Sequence, residues 1–209
     1  EDPDYFHPAV NIAVKQDISN QLYIGIQKYR LLKKYKSLIN NSSSDFILVK
    51  SHPVIWFSKY LMNKLDNALF IGIIRNQYQT VSSMLNHSGV QEWYSLLPQN
   101  KPNRFLGITN ENKSYFKDLP LESKCAYRWL SHKKELQRLQ GVLKDRYLLF
   151  DYDDFVKKLD DHLQKISDFL NIENQFNPEA LKTESLDKWK SYLTQEQIQH
   201  IDQVVNDHQ

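Results

Sequence analysis

The sequence of 209 residues contains a single cysteine, Cys125, and no long apolar run. One thiol cannot form an internal disulfide, which favours a reducing compartment over a secreted scaffold. A membrane-spanning helix needs roughly 20 apolar residues in succession, and no segment approaches that length. We therefore predict a cytoplasmic location and no membrane segment in this chain; a membrane anchor upstream of Glu1 stays open. Cys125 falls among apolar residues of a predicted helix, so we interpret it as a core residue.

The sequence also has no large excess of either charge, because it contains 27 basic and 25 acidic side chains and its net charge is only +2. A protein that coats nucleic acid carries a strongly basic surface, so we expect no nucleic-acid partner. The seven histidines form no His-x-x-x-His or His-Glu-x-x-His arrangement, and one cysteine cannot supply a zinc cluster. The sequence thus predicts no protein-held metal, and any anion site must be local.

What is present is the composition of a globular domain. Hydrophobic residues make up 41% and charged residues 25% of the chain, which argues against disorder. The length suffices for one sizeable core but not for two comfortable domains, so we expect a single domain over residues 1–209. Short apolar runs separated by stretches of helical spacing favour an α/β fold with a parallel sheet flanked by helices.

The apolar runs predict three strands, at residues 46–49, 68–74 and 146–150. Helical spacing predicts helices at 18–39, 78–85, 122–143, 153–170 and 194–205. Thr194 and Gln197 match a capping box at the start of the last helix. Residues 93–120 are rich in Asn, Lys, Pro and aromatic residues without a clear period, and we predict an irregular insertion there. Such a loop could select a substrate, or its aromatic side chains could form a small satellite core.

Cationic residues follow two of the predicted strands, with Lys50 and His52 after the first and Arg75 after the second. Because parallel strands end at the same edge of a sheet, and ligands bind beyond that edge, these side chains are candidates for one site. A guanidinium binds phosphate through two hydrogen bonds, and the following helix directs free N–H groups toward the same anion. We predict that Arg75 binds an anion, a nucleotide phosphate. The alternative is an ordinary pairing with a surface carboxylate.

Residues 68–83 resemble a segment of the sulfotransferases that use 3′-phosphoadenosine 5′-phosphosulfate (PAPS). In that family, the strand that binds the 3′-phosphate ends in Arg-Asn, and a serine follows the arginine at eight residues. Here Arg75 and Asn76 end the apolar run, and Ser83 stands at the required distance. The resemblance implies that Arg75 and Ser83 bind the 3′-phosphate of the sulfuryl donor.

A second segment, Lys50-Ser51-His52, resembles the Lys-Thr-His segment of the same family. The resemblance implies that His52 takes the proton of the acceptor and that Lys50 steadies the charge on the leaving phosphate. Histidine suits this role because it titrates near neutral pH. Read without the resemblance, His52 would be a histidine at the end of a strand, hydrogen-bonded to backbone.

Two later segments match in the same order. Residues 149–155 resemble the Tyr-Glu-Asp-Leu strand end, which implies that Tyr152 lies against the adenine; a core role for its ring is the alternative. Residues 187–194 resemble the C-terminal Trp-Lys segment, and Lys182 stands seven residues before its tryptophan, Trp189. The resemblance implies that Lys182 binds phosphate, whereas we interpret Trp189 as a packing residue.

One part of the family pattern has no counterpart in this sequence. The first strand of the family leads into a Pro-Lys/Arg-Ser-Gly-x-Thr loop around the 5′-phosphosulfate. None of the five glycines stands next to a Lys-Ser or Lys-Thr pair. We therefore expect an N-terminally incomplete chain, or one that has lost the loop, with the P-loop-kinase-like sulfotransferase architecture lacking its first strand and loop.

The resemblance implies an enzyme, a PAPS-dependent sulfotransferase that moves a sulfuryl group to an acceptor hydroxyl or amine without a metal. A small molecule, a sugar, a lipid or a peptide tyrosine could serve as the acceptor, and the oligomeric state is equally open. The missing loop motivates an alternative, a non-catalytic nucleotide- or partner-binding module of the same fold. A third candidate is a nucleotide kinase relative, since kinases share the parallel-sheet plan.

Overall fold

A computed structural model describes residues 21–50, 52–177 and 186–208 of the chain. The chain divides into two compact units, Glu1–Ala68 and Leu69–Gln209. The described part of the first unit contains helix α1 (Gln21–Asn41), a 3-10 helix (His52–Trp56) and helix α2 (Ser58–Met62). The long amphipathic helix that the sequence predicts at residues 18–39 is thus present, and it ends two residues later than predicted.

The prediction of a strand at residues 46–49 is wrong. This stretch has no regular structure, and its apolar side chains are exposed, Leu48 to 92%. A short apolar run becomes a strand only when a neighbouring strand takes up its backbone hydrogen bonds. The described residues of the first unit supply no such neighbour, so apolar character alone does not make this segment a strand.

The second unit contains a parallel pair of strands, β1 (Phe70–Ile74) and β2 (Tyr147–Asp151). The register runs from Phe70 opposite Tyr147 to Ile74 opposite Asp151. The sequence placed both strands correctly to within two residues, and their parallel pairing confirms the mixed α/β class. Since the two strands end side by side, the residues that follow them lie at a common edge.

Seven helices are described in the second unit: α3 (Gln77–Leu85), α4 (Ser88–Leu96), α5 (Leu121–Leu143), α6 (Tyr152–Lys157), α7 (Leu159–Leu170), α8 (Trp189–Tyr192) and α9 (Gln195–Asn206). Short 3-10 helices lie at Phe116–Asp118 and Lys144–Arg146. Helix α5 is central because it contacts both strands, α3 and α9. It therefore forms the wall against which the strand ends are fixed. None of the described helices combines the length and the hydropathy that a bilayer span requires.

Two helix boundaries show how well local signals work. The predicted helix at 153–170 is interrupted at Lys158, whose φ of −127° and ψ of 50° separate α6 from α7. The apolar spacing continues across this break, so periodicity alone could not reveal it. By contrast, the predicted capping box is confirmed: Thr194 Oγ accepts from Gln197 N at 3.2 Å, and Gln197 Oε1 accepts from Thr194 N at 3.0 Å.

Part of the stretch predicted as an insertion packs tightly. Phe105, Leu106 and Phe116 are at most 3% exposed, and Asn103 and Ile108 form an antiparallel bridge. Gly107 turns this loop with a φ of 78°, and a Cβ there would lie only 2.3 Å from the backbone of helix α5. The buried side chains agree with a satellite core, while a role in substrate choice stays a prediction.

Cys125 is fully buried in helix α5, as the sequence predicts, and burial raises the pKa of its thiol to about 12. The thiolate is the reactive form of cysteine. We therefore expect the thiol of the native protein to react with a maleimide far more slowly, at mildly alkaline pH, than the thiol of the protein in denaturant. Equal rates in the two conditions would show that Cys125 is accessible and would contradict this packing.

Candidate functional site

Arg75 and Tyr152 are the first residues beyond the two paired strands. Strand β1 ends at Ile74 and strand β2 at its partner Asp151, so the next residue of each chain segment emerges at the same edge. The guanidinium carbon of Arg75 lies 4.8 Å from the centroid of the Tyr152 ring. A guanidinium over an aromatic face is attracted by the electrons of the ring. The structure thus brings together two of the residues that the sequence marks as candidates.

A buried glutamine orients the guanidinium of Arg75. The Nε of Arg75 donates to Gln79 Oε1 at 2.5 Å, and Gln79 is only 6% exposed in the first turns of α3. The amide nitrogen of Gln79 donates to the carboxylate of Asp153 at 3.0 and 3.2 Å and to the carbonyl of Leu186 at 2.9 Å. Both ends of the amide are therefore engaged, which fixes its oxygen toward Arg75.

Gln79 also separates Arg75 from the nearest carboxylate in this network. Asp153 bonds to the amide of Gln79, and Arg75 forms no ion pair within the part of the chain that the structure describes. The guanidinium uses its Nε for Gln79, so the two Nη groups remain for another acceptor. Two parallel N–H groups of this kind suit a phosphate or a carboxylate.

The backbone around Arg75 is fixed from two sides. Trp129 of helix α5 donates its indole N–H to the carbonyl of Arg75 at 2.8 Å. Asn76 caps helix α3, because its side-chain oxygen accepts from the backbone N–H of Tyr78 at 2.9 Å. The Arg-Asn pair therefore has two separate tasks: the arginine presents a cation, and the asparagine starts the helix immediately behind it.

A cavity of about 380 Å³ opens at this edge. It is lined by the ends of both strands and by one face of α5: Ile74, Arg75, Asn76, Gln77, Trp129, Lys133, Gln137, Leu149, Phe150, Asp151 and Asp153. Its charged groups are two cations, Arg75 and Lys133, and two carboxylates. Asp151 caps α6 by accepting from the N–H groups of Asp153 and Asp154 at 2.9 and 3.0 Å. Both carboxylates are therefore already hydrogen-bonded by the protein, as Asp153 accepts from Gln79.

The remaining predicted site residues are Ser83, Lys50, His52 and Lys182. Ser83 is exposed in helix α3, and the structure does not bring it to the cavity that Arg75 lines. Lys50 is exposed in the first unit, where His52 begins the 3-10 helix that ends at Trp56. Lys182 lies outside the described residues. The roles of these four residues stay predictions.

Trp189 packs as the sequence suggests. Its ring stacks on Tyr78 of helix α3 with the centroids 4.6 Å apart. The hydroxyl of Tyr78 donates to Asp202 of helix α9, and burial together with this hydrogen bond raises the pKa of Tyr78. The aromatic pair and the Tyr78–Asp202 bond thus attach α8 and α9 to the helix that follows Arg75.

The sequence analysis predicted no role in the site for three residues that line the cavity or hold Arg75 by hydrogen bonds: Gln79, Trp129 and Lys133. A signal for the last two exists, since Trp129, Lys133 and Gln137 recur at intervals of four and share one face of α5. Gln79 stands four residues after Arg75, a spacing at which a side chain at a helix start can reach back. Neither spacing shows which residue the side chain contacts, so the sequence did not suffice to predict these three residues as part of the site.

No cluster of three or more His, Cys, Asp or Glu side chains converges as a possible metal site within the described residues. In a comparison with known families, residues 13–178 fit the sequence model of the sulfotransferase family. The matched range includes Lys50, His52, Arg75, Ser83 and Tyr152 and ends before Lys182. No curated protein and no solved structure is significantly similar to the chain.

Proposed function

Because the chain belongs to the sulfotransferase family, we propose that it is an enzyme that transfers a sulfuryl group from PAPS to a hydroxyl or amine. Family membership supports sulfuryl transfer in general, and the identity of the donor is the further step. The observation that carries this step is the geometry of Arg75. Its guanidinium is oriented by Gln79, lines a cavity at the strand ends and has no carboxylate partner among the described residues.

The proposed donor site uses Arg75 for the 3′-phosphate and Tyr152 for the adenine. The two Nη groups of Arg75 can bind two phosphate oxygens, and charge-assisted hydrogen bonds of this kind are among the stronger ones in proteins. The half-buried ring of Tyr152 lies against the same guanidinium, which puts an aromatic surface beside the phosphate position. Ser83 and Lys182 complete the proposed set on the strength of the family pattern.

The proposed reaction needs no covalent intermediate and no metal. The acceptor oxygen or nitrogen attacks the sulfur of PAPS while the bond between sulfur and the 5′-phosphate oxygen breaks. The electron pair of that bond stays on the leaving 3′-phosphoadenosine 5′-phosphate (PAP), and the acceptor proton passes to His52. Lys50 offsets the charge that develops on the phosphate. Positioning and electrostatic stabilisation account for catalysis of this type.

Replacing His52, the proposed base, should slow sulfuryl transfer without weakening nucleotide binding. We expect His52→Ala to slow the transfer of labelled sulfate from PAPS by roughly 10²- to 10⁴-fold, as for the loss of other general bases. The affinity for PAP should be unchanged, because His52 contacts the acceptor and not the nucleotide. Transfer is measured with acceptors of each open class: small alcohols, sugars, lipids and tyrosine peptides. His87→Ala, which changes an exposed histidine of the second unit, serves as the control.

Two outcomes would overturn parts of this proposal. If His52→Ala weakens PAP binding as much as it slows transfer, His52 is not the base. If the unchanged chain binds PAP but transfers sulfate to no acceptor, the alternative holds, a nucleotide-binding module of the same fold. The absence of a recognisable phosphosulfate loop from the 209 residues is the observation that favours this alternative. A cytoplasmic location stays a prediction from the sequence.

A further inference from the structure

Resting on the proposed function, we propose that Lys133 is a second phosphate-binding residue and contacts the same 3′-phosphate as Arg75. Lys133 stands on helix α5, which lines the same cavity as the strand ends. Three cavity-lining residues, Trp129, Lys133 and Gln137, follow one another at intervals of one helical turn. Lys133 is thus a member of a continuous face directed at the cavity.

Trp129 contacts both the backbone of Arg75 and the ammonium of Lys133. Trp129 donates its N–H to the backbone carbonyl of Arg75 at 2.8 Å, and the ammonium of Lys133 lies 4.9 Å from the centroid of the same ring. The first contact fixes the end of strand β1 to helix α5. The second holds the lysine along the aromatic face, since a cation is attracted to the ring. Trp129 thus holds the backbone of Arg75 and the side chain of Lys133 at the same cavity.

Neither carboxylate of the cavity forms an ion pair with Lys133. Asp151 is engaged with the N-terminus of α6 and Asp153 with Gln79, and Lys133 forms no ion pair within the described ranges. The half-buried position of Lys133 also reduces the access of water that would screen it. An ammonium and a guanidinium that line one cavity, neither of them in an ion pair among the described residues, are suited to an anion of more than one charge.

The chemistry of the ligand fits two cations. A phosphate monoester carries about −1.5 to −2 charges near neutral pH, because its second pKa is about 6. One arginine would leave much of this charge uncompensated. A second cation on a different element would balance it, and it would also distinguish a terminal phosphate from a singly charged anion such as a carboxylate.

The test compares the affinity of Lys133 variants for PAP and for AMP, which lacks the 3′-phosphate. Lys133→Met keeps the packing on Trp129 but removes the charge, and we expect it to weaken PAP binding roughly 10-fold or more, the usual loss for a charged hydrogen bond. AMP binding should be unchanged, and Lys133→Arg should retain most of the PAP affinity. Lys165→Met, an exposed lysine of helix α7, is the matched control.

A double-mutant cycle with Arg75→Lys tests whether both residues contact one phosphate group. If they do, the combined loss of PAP affinity differs from the product of the single losses, because residues that share a partner are energetically coupled. Multiplicative losses, or a Lys133→Met variant that binds PAP as tightly as the unchanged chain, would overturn the role of Lys133 alone. Equal affinity of the unchanged chain for PAP and AMP would overturn the proposed function, and this inference with it. Circular dichroism and thermal unfolding establish that each variant is folded.

Discussion

Arg75→Ala should reduce the affinity for PAP by about 100-fold or more, because each hydrogen bond between charged groups contributes about 1.5–3 kcal/mol and two are lost. The affinity for AMP should change little, since AMP offers Arg75 no 3′-phosphate. The fold should tolerate the change, because Arg75 is half-buried and its carbonyl, which accepts from Trp129, is retained. Isothermal titration calorimetry with both nucleotides provides the measurement.

Two further variants make this prediction specific. Arg75→Lys keeps the charge but loses the two-pronged geometry, so its PAP affinity should fall between those of the unchanged chain and Arg75→Ala. Arg104→Ala removes an exposed arginine of the same unit and should leave the PAP affinity unchanged. If Arg75→Ala binds PAP as tightly as Arg104→Ala does, Arg75 does not contact the 3′-phosphate.

Gln79→Glu should also reduce the preference for PAP over AMP, by a different mechanism. The substitution changes the shape of the side chain little but puts a carboxylate where Gln79 Oε1 accepts from Arg75 at 2.5 Å. The introduced charge would pair with the guanidinium and compete with the phosphate. It would also face Asp153 without the amide hydrogen bonds at 3.0 and 3.2 Å, which should destabilise the fold. We expect a loss of PAP affinity of roughly 10-fold or more, the scale of one charged hydrogen bond.

Gln79→Met is the matched control for this prediction. Methionine has a similar size and removes the same hydrogen bonds, but it adds no charge that could pair with Arg75. Its PAP affinity should lie between those of the unchanged chain and Gln79→Glu. Thermal unfolding of both variants reports the loss of the bonds to Asp153 and Leu186, which the two substitutions share. Equal PAP affinities of the two variants would contradict the idea that Gln79 keeps Arg75 free of a carboxylate.

The sequence was sufficient to place the two strands beyond which Arg75 and Tyr152 stand. The apolar runs before Arg75 and before Asp151 have almost no polar residues, which predicts strands covered by helices. Both runs are strands, but Ile71 and Ile73 of β1 are 40% and 54% exposed among the described residues. The strand-end argument grouped Arg75 with Lys50 and His52, whose predicted strand is absent, whereas the resemblance assigned both Arg75 and Tyr152 to the nucleotide site. The parallel pairing of β1 and β2 explains how Arg75 and Tyr152 come together. The observed distance of 4.8 Å between guanidinium and ring agrees with that placement.

The rest of the site depends on packing between distant elements. Helical spacing shows that Trp129 and Lys133 share a face, but only the contact of α5 with β1 directs this face at the cavity. Gln79 requires the positions of Asp153 and Leu186, which come from later elements of the chain. The prediction of a strand at 46–49 failed for the same reason. A strand forms only beside a neighbouring strand, and the apolar run itself does not show whether such a neighbour exists.

The most direct test of the account is the affinity of the unchanged chain for three nucleotides: PAP, its isomer adenosine 2′,5′-bisphosphate, and AMP. The isomer carries the same charge as PAP with one phosphate displaced, so it separates recognition of position from attraction by charge alone. We predict that PAP binds about 100-fold or more tightly than AMP, the scale of two charged hydrogen bonds from Arg75, and that the isomer binds clearly more weakly than PAP. Equal affinities for PAP and AMP would contradict the assignment of Arg75 to the 3′-phosphate.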